Sequence, residues 1–167
     1  MMQFLLFIIS FPIIWVLSRL PMSMLYLLSD VLYFLIYTVF GYRKQVVLEN
    51  LKLVFPEKTT IERKKIAKQF FTHFTDLFVE SIKAFSISKK EISKRYVYKN
   101  PELVNNYYKK QRSIALVGAH QANWEWSISL PLVLDTPIYG AYTRLSSKYF
   151  EKWVRESREK FGCIGYK

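Results

Sequence analysis

Two residues five positions apart carry the chemistry that this sequence suggests. His120 and Glu125 lie in the stretch Gly-Ala-His-Gln-Ala-Asn-Trp-Glu-Trp at positions 118–126. A carboxylate that holds one imidazole nitrogen leaves the other nitrogen free to take a proton from a hydroxyl group. A histidine and a glutamate at this spacing often occur by chance, so the pair is informative only if its position in the fold suits an active site. No serine, second histidine or cysteine near this segment suggests a covalent nucleophile, and we expect direct attack by an acceptor hydroxyl.

The elements around this pair are predicted from the apolar pattern. Residues 113–117 form a short apolar run before Gly118, which is typical of a buried strand. The sequence after it predicts a helical segment at 124–134 and a strand at 137–142. A helix begun by Ser146 or Ser147 and ended by Gly162 comes next, and a further strand begins near Cys163. Alternating strands and helices predict an α/β fold with a helix-flanked, mostly parallel sheet. His120 then lies beyond the carboxyl end of a strand, where such sheets bind ligands.

A long amphipathic helix is predicted before this region. Thr59-Thr-Ile-Glu62 has the form of a capping box, in which residues three apart satisfy each other's backbone N–H groups. The apolar residues that follow recur at steps of three and four, and predict about seven turns. They are Ile66, Phe70, Phe74, Leu77, Phe78, Ile82 and Phe85. His73 lies one position off this stripe and is interpreted as a boundary residue without a catalytic role.

The first 42 residues are predicted to form a membrane anchor of one or two apolar helices, and residues 43–167 a catalytic body. Apolar runs at 2–17 and 22–40 each approach the ~20 residues that cross a bilayer, and Pro21 separates them. Two arrangements are compatible with these runs. One is a spanning helix followed by an interfacial helix, and the other is a shallow helical hairpin. A soluble protein with two buried helices is the alternative. Basic residues that follow the runs place the body on the cytoplasmic side.

The distribution of charge along the chain indicates which class of partner the protein binds. Residues 1–40 hold one basic and one acidic residue, so the net charge of +12 lies in the remainder of the chain. A basic body beside an apolar anchor indicates an anionic membrane surface, and no nucleic-acid-binding signature is present. Cys163 is the only cysteine, so no intramolecular disulfide can form. We assign no metal and no cofactor.

The motif around His120 resembles that of a known family. His-x-x-Asn-Trp-Glu is similar to the signature of the lysophospholipid acyltransferase superfamily, and specifically of its lipid A biosynthesis branch, the lauroyl and myristoyl transferases. Further similar blocks occur in order along the chain. They are Arg43-Lys44 through Phe55-Pro56-Glu57, Tyr142-Thr-Arg144-Leu145, and Arg158-Glu-Lys-Phe161-Gly162. One departure is Ala122, where the family usually has a glycine.

The resemblance implies an enzyme of the bacterial inner membrane that moves a fatty acyl chain from acyl carrier protein to a hydroxyl group of a lipid A precursor. His120 would be the general base and Glu125 would orient it. Arg144 and Arg158 would bind phosphate groups or stabilise developing charge, and Asn123 would hydrogen-bond the turn. The later blocks of the family are missing after Lys167, so we expect an amino-terminal, apparently truncated portion that is inactive by itself.

Two other functions fit the sequence. The same chemistry could act on another glycolipid, an aminolipid or a lysophospholipid. Alternatively, a non-catalytic basic membrane scaffold would explain the composition without any need for the imidazole of His120.

Overall fold

The computed structural model describes residues 2–166 and the side chains of residues 3–166. The α-helices are α1 (Met2–Arg19), α2 (Met22–Tyr33), α3 (Lys44–Val54), α4 (Thr60–Lys83), α5 (Lys89–Arg95), α6 (Pro101–Lys109) and α7 (Lys148–Glu159). A π-helical segment, Phe34–Val39, continues α2, and a 3₁₀-helical segment covers Trp124–Leu132. The strands are β1 (Ile138–Ala141) and β2 (Cys163–Tyr166).

The described residues form two compact units. One unit comprises the described part of Met1–Arg19 and Ser81–Lys167, and the other is Leu20–Glu80. The sequence-based boundary near residue 42 concerns membrane anchoring rather than packing, so that division into anchor and body stays a prediction.

The only sheet within residues 2–166 is a parallel pair. β1 pairs with β2 from Ile138 opposite Cys163 to Ala141 opposite Tyr166, and α7 connects the two strands. The predicted strand, helix and strand of this part of the chain are therefore confirmed. Gly162, with φ of 102°, lies in the turn after α7 and donates its backbone N–H to Glu159 at 2.9 Å.

The strand predicted at 113–117 is wrong, because residues 113–121 have no regular structure. The mostly parallel sheet is accordingly reduced to two strands in a mainly helical chain. An apolar run favours a strand only where a neighbouring strand supplies hydrogen bonds and a packed face. β1 pairs with β2 alone among the described residues, and Val117 is 96% exposed.

An aromatic contact between α1 and α7 builds the first unit. Phe7 of α1 packs edge-on against Phe150 with ring centroids 5.2 Å apart, and Phe11 meets Trp153 at 4.7 Å. Trp153 also stacks on Phe85 at 4.0 Å. Such aromatic pairs each contribute about 0.5–1.5 kcal/mol beyond the area they bury. The aromatic side of α7 therefore packs within the unit, and the charged residues described below lie on the opposite side of the helix.

In the second unit, α2 and the π-helical segment pack on α4. Ser29 donates a hydrogen bond to Asp76 at 2.7 Å, and the ring of Tyr37 lies 5.3 Å from that of Phe71. By length and composition, Met22–Val39 is suited to cross a membrane, and Gln3–Arg19 is a shorter apolar helix. These properties are shared by buried core helices, so they do not by themselves fix a membrane location.

The predicted capping box of α4 is confirmed. The Thr59 hydroxyl accepts the backbone N–H of Glu62 at 3.3 Å, and the Glu62 carboxylate accepts that of Thr59 at 2.8 Å. The buried row of this helix consists of Ala67, Phe71, Thr75, Val79 and Lys83. The predicted stripe lies one position away from this row, and three of its aromatic residues, Phe70, Phe74 and Phe78, are about half exposed. His73 is exposed, as expected for a residue at the edge of the packed face.

Candidate active site

A cavity of about 980 Å³ lies within the first unit, between α7, the two strands and the segment that carries the predicted motif. His120, Glu125 and Arg158 all line it, and so does Trp124. Of the other residues predicted to act in the site, Asn123 is buried and does not line the cavity, and Arg144 lies between two lining residues in the sequence without lining the cavity itself. The remaining lining residues used below are Tyr96, Tyr142, Arg155, Glu159, Cys163 and Gly165.

Glu125 and Arg158 form a two-bonded ion pair in this cavity. The Arg158 Nη2 donates to Glu125 Oε1 at 2.6 Å, and its Nε donates to Oε2 at 3.3 Å. Both side chains are partly buried, with 22% of Glu125 and 30% of Arg158 exposed. The fork of a guanidinium matches the two oxygens of a carboxylate, so this arrangement fixes the orientation of both groups. The pair joins the 3₁₀ segment to α7.

His120 lies beside this pair rather than bonded to it. Its ring centroid is 4.5 Å from that of Trp124, and the Arg158 guanidinium carbon lies 5.9 Å from the Trp124 ring. Among residues 3–166, no hydrogen bond joins His120 to Glu125. The structure therefore brings the two predicted residues into one cavity, with the indole of Trp124 as the wall beside both His120 and Arg158.

A tight turn between His120 and Glu125 sets their positions. The Gln121 N–H donates to the Ala119 carbonyl at 2.9 Å, and the Trp124 N–H donates to the Ala122 carbonyl at 3.1 Å. Ala122 has φ of 51°, in the left-handed region that glycine adopts without steric cost. The one position where the motif departs from the family's glycine is thus a position at which the backbone conformation favours glycine.

Carboxylates on α7 fix the cavity walls. Glu151 accepts the Tyr142 hydroxyl at 3.1 Å and the Leu145 backbone N–H at 2.8 Å, which ties the chain after β1 to the start of α7. Near the other end of the helix, Glu159 accepts the Gly165 N–H of β2 at 3.2 Å. Desolvation and the hydrogen bond to Glu151 raise the pKa of Tyr142 above its ordinary value, so this hydroxyl keeps its proton at neutral pH.

The 3₁₀ segment that carries Glu125 is held from outside the cavity by Tyr98. Its hydroxyl lies 3.0 Å from the Ser129 Oγ and 3.2 Å from the Ser127 carbonyl oxygen. The Ser129 hydroxyl in turn donates to the Trp126 carbonyl at 2.8 Å. Burial raises the pKa of Tyr98 to about 12, so the phenol remains a neutral donor.

The carboxyl-terminal end of α7 is tied to the chain that follows α4. Ser157 donates to the Ala84 carbonyl at 3.2 Å, and the Lys160 ammonium donates to the same carbonyl and to that of Ile87 at 3.2 Å. Burial, with a smaller effect from Lys83, lowers the pKa of Lys160 to about 8. These bonds lie on either side of Arg158 in the sequence, and therefore restrict the helix end from which Arg158 projects.

Sequence reasoning missed most of the residues that shape the cavity. Arg155 and Glu159 line it, and Glu151 fixes a wall, yet none of them was predicted. A signal was present, because positions 151, 155, 158 and 159 recur at helical spacing on one side of a segment whose other side is aromatic. Charged residues on such a face are usually solvated, and composition alone could not show that this face lines a cavity.

Comparison with known families adds independent information. The sequence matches the model of the bacterial lipid A biosynthesis acyltransferases over residues 1–164. Neither a curated protein nor a solved structure matches the chain. The match covers nearly all of the chain and includes every residue of the cavity named above except Gly165.

Proposed function

Because the chain belongs to the bacterial lipid A biosynthesis acyltransferase family, we propose that it moves a fatty acyl chain from an acyl carrier protein thioester to a hydroxyl group of a lipid A precursor. The observation that carries this proposal is the single cavity that holds His120 beside the Glu125–Arg158 pair. A base, its positioning carboxylate and a cation next to it are the groups that acyl transfer to a hydroxyl requires.

In the proposed reaction, His120 removes the proton of the acceptor hydroxyl as its oxygen bonds to the thioester carbonyl carbon. The tetrahedral intermediate then collapses, the carbon–sulfur bond breaks, and the proton passes from the imidazolium to the departing thiolate. The products are the acylated lipid and the free thiol of the carrier. The guanidinium of Arg158 and the ring of His120 both lie beside Trp124. The N–H groups of Arg158 that do not bond Glu125 are proposed to stabilise the negative charge that develops on the carbonyl oxygen.

Glu125 is proposed to position His120 while Arg158 positions Glu125. A carboxylate has about four lone-pair sites, and Arg158 uses two of them, so the oxygens can still accept an imidazole N–H. Catalytic hydrogen bonds are often long or poorly aligned in the free enzyme and tighten only when substrate binds. We propose that the His120–Glu125 bond forms in this way. Phosphate binding by Arg144 and stabilisation of the turn by Asn123 stay predictions.

The proposed site of action is the inner surface of the bacterial inner membrane. The apolar helix Met22–Val39 supports anchoring, and the net charge of +12 suits a surface of anionic lipids. We propose that the catalytic body faces the cytoplasm, where acyl carrier protein is available as the donor.

The proposed function is tested by replacing the two histidines one at a time. In a full-length version of the protein, reconstituted in detergent with acyl carrier protein thioester and a lipid A precursor, His120→Ala should lower acyl transfer about 10²–10⁴-fold. His73→Ala is the matched control, because His73 is exposed on α4 and lies outside the cavity. Transfer by His120→Ala at the rate of the unchanged chain would refute the assignment of the base.

A further inference from the structure

The cavity holds two arginines whose surroundings differ. Arg158 gives both of its bonded nitrogens to Glu125, so its charge is already matched within the protein. Arg155, one turn earlier on α7, also lines the cavity and is partly buried. Among the described residues, no carboxylate forms an ion pair with Arg155.

The acidic residues nearest to Arg155 on the helix are engaged elsewhere. Glu151 and Glu159 lie four positions before and after it, at a spacing that commonly allows ion pairs on a helix surface. Both oxygens of Glu151 accept hydrogen bonds from Tyr142 and from the Leu145 backbone. Glu159 is turned to β2, where it accepts the Gly165 N–H. Arg155 lines the cavity, and within residues 3–166 its guanidinium has no hydrogen-bond or ion-pair partner, so its N–H donors are available to a ligand.

We propose that Arg155 binds a phosphate group of a substrate in the cavity. The inference rests on the proposed function, which supplies phosphate-bearing substrates. A guanidinium can hold a phosphate through two parallel hydrogen bonds, and partial burial strengthens such a contact relative to one in open water. Arg158 keeps its place against Glu125, so the positioning of the catalytic groups and the binding of phosphate are carried by different arginines on the same helix.

Two substrates can supply the phosphate. An acceptor glycolipid carries it on a sugar, and the thioester donor carries it on a phosphopantetheine arm. Soluble probes separate these sources: glucosamine 1-phosphate represents the acceptor, and 4′-phosphopantetheine represents the donor. Binding of each probe to the full chain in detergent is measured by calorimetry, without turnover, so the outcome does not depend on whether His120 acts as the base.

Arg155→Gln is expected to weaken binding of one probe or of both by about tenfold or more, because it removes a charge-assisted contact. Loss confined to glucosamine 1-phosphate assigns Arg155 to the acceptor, and loss confined to phosphopantetheine assigns it to the donor. Lys152→Gln is the matched control, since Lys152 lies on α7, is 74% exposed and does not line the cavity. Unchanged binding of both probes by Arg155→Gln, or equal loss with Lys152→Gln, would overturn the proposal.

A second measurement uses the unchanged chain and does not require that a variant fold. Arginine side chains are modified with a dicarbonyl reagent with and without each probe, and the modified peptides are quantified by mass spectrometry. A bound phosphate should protect Arg155 severalfold and leave the exposed Arg112 unprotected. Equal modification of Arg155 with and without both probes would also overturn the proposal.

Discussion

Replacing Ala122 with glycine should stabilise the unit that holds the cavity. Ala122 has φ of 51°, and an L-residue with a Cβ in this region costs roughly 1–2 kcal/mol. Glycine removes this cost but gives the unfolded chain more freedom, which lowers stability by about 0.4–1 kcal/mol. The methyl group is exposed, so no buried contact is lost. The net expectation is a gain of roughly 0.5–1 kcal/mol in the free energy of unfolding.

Tryptophan fluorescence during denaturation in detergent measures this change in the free energy of unfolding for the unit that contains the cavity. All four tryptophans, Trp15, Trp124, Trp126 and Trp153, belong to the unit that includes Ala122. For a chain of this size, about 1 kcal/mol corresponds to a shift of roughly 2–4 °C in the unfolding temperature.

The control for this experiment is Ala119→Gly. Ala119 is also exposed and lies in the same irregular segment, but it is not among the residues with positive φ. Its replacement should lower stability by about 0.4–1 kcal/mol. If Ala122→Gly were as destabilising as Ala119→Gly, the left-handed conformation would not be the source of strain at this turn.

Two further substitutions test contacts that hold the elements. Thr59→Ala should lower the free energy of unfolding by about 1 kcal/mol at neutral pH, because it removes the side-chain cap of α4. Thr60→Ala is the control and should lower it much less; both are followed by far-ultraviolet circular dichroism. Hydrogen bonds from the backbone N–H and from the hydroxyl of Thr59 lower the pKa of Glu62 below its ordinary value, so the stabilisation they give is present above the ordinary pKa and is lost as the pH falls through the lowered one. Of these two bonds, Thr59→Ala removes only the one from the hydroxyl, so its cost in stability should be smaller in acid, where Glu62 is protonated, than at pH 7; a cost that does not change with pH would contradict this. Tyr98→Phe should lower the free energy of unfolding by about 1–2 kcal/mol, measured by fluorescence, because the hydrogen bond of the Tyr98 hydroxyl is lost. Tyr96→Phe is the control and should have little effect, because within the described residues the Tyr96 hydroxyl forms no such bond.

Features set by neighbours in the sequence were predicted well. The capping box at Thr59 and the turn at Gly162 depend on residues within a few positions of each other, and both are present in the structure. The two strands and the helix between Ile138 and Tyr166 follow from local sequence patterns in the same way. Local signals of this kind persist because their energy does not depend on distant parts of the chain.

Features set by distant partners were not predicted. The run at 113–117 has the composition of a strand, but its state depends on a hydrogen-bonded neighbour that the described chain does not provide. The ion pair between Glu125 and Arg158 joins residues 33 positions apart. The family resemblance implied that Arg158 binds phosphate or stabilises developing charge, and it did not indicate the ion pair with Glu125, because nothing in the spacing of residues shows which charge meets which.

The two sides of α7 explain how an apolar amino-terminal helix and a polar cavity share one compact unit. Tyr149, Phe150 and Trp153 face the aromatic residues of α1, while Arg155 and Arg158 line the cavity. These sets lie on opposite sides of a helix with 3.6 residues per turn, so both contacts are made at once. Packing of α1 therefore determines the rotation of α7 about its axis, and with it the direction in which both arginines point. A helix that composition alone assigns to membrane anchoring is thus also part of the support for the site.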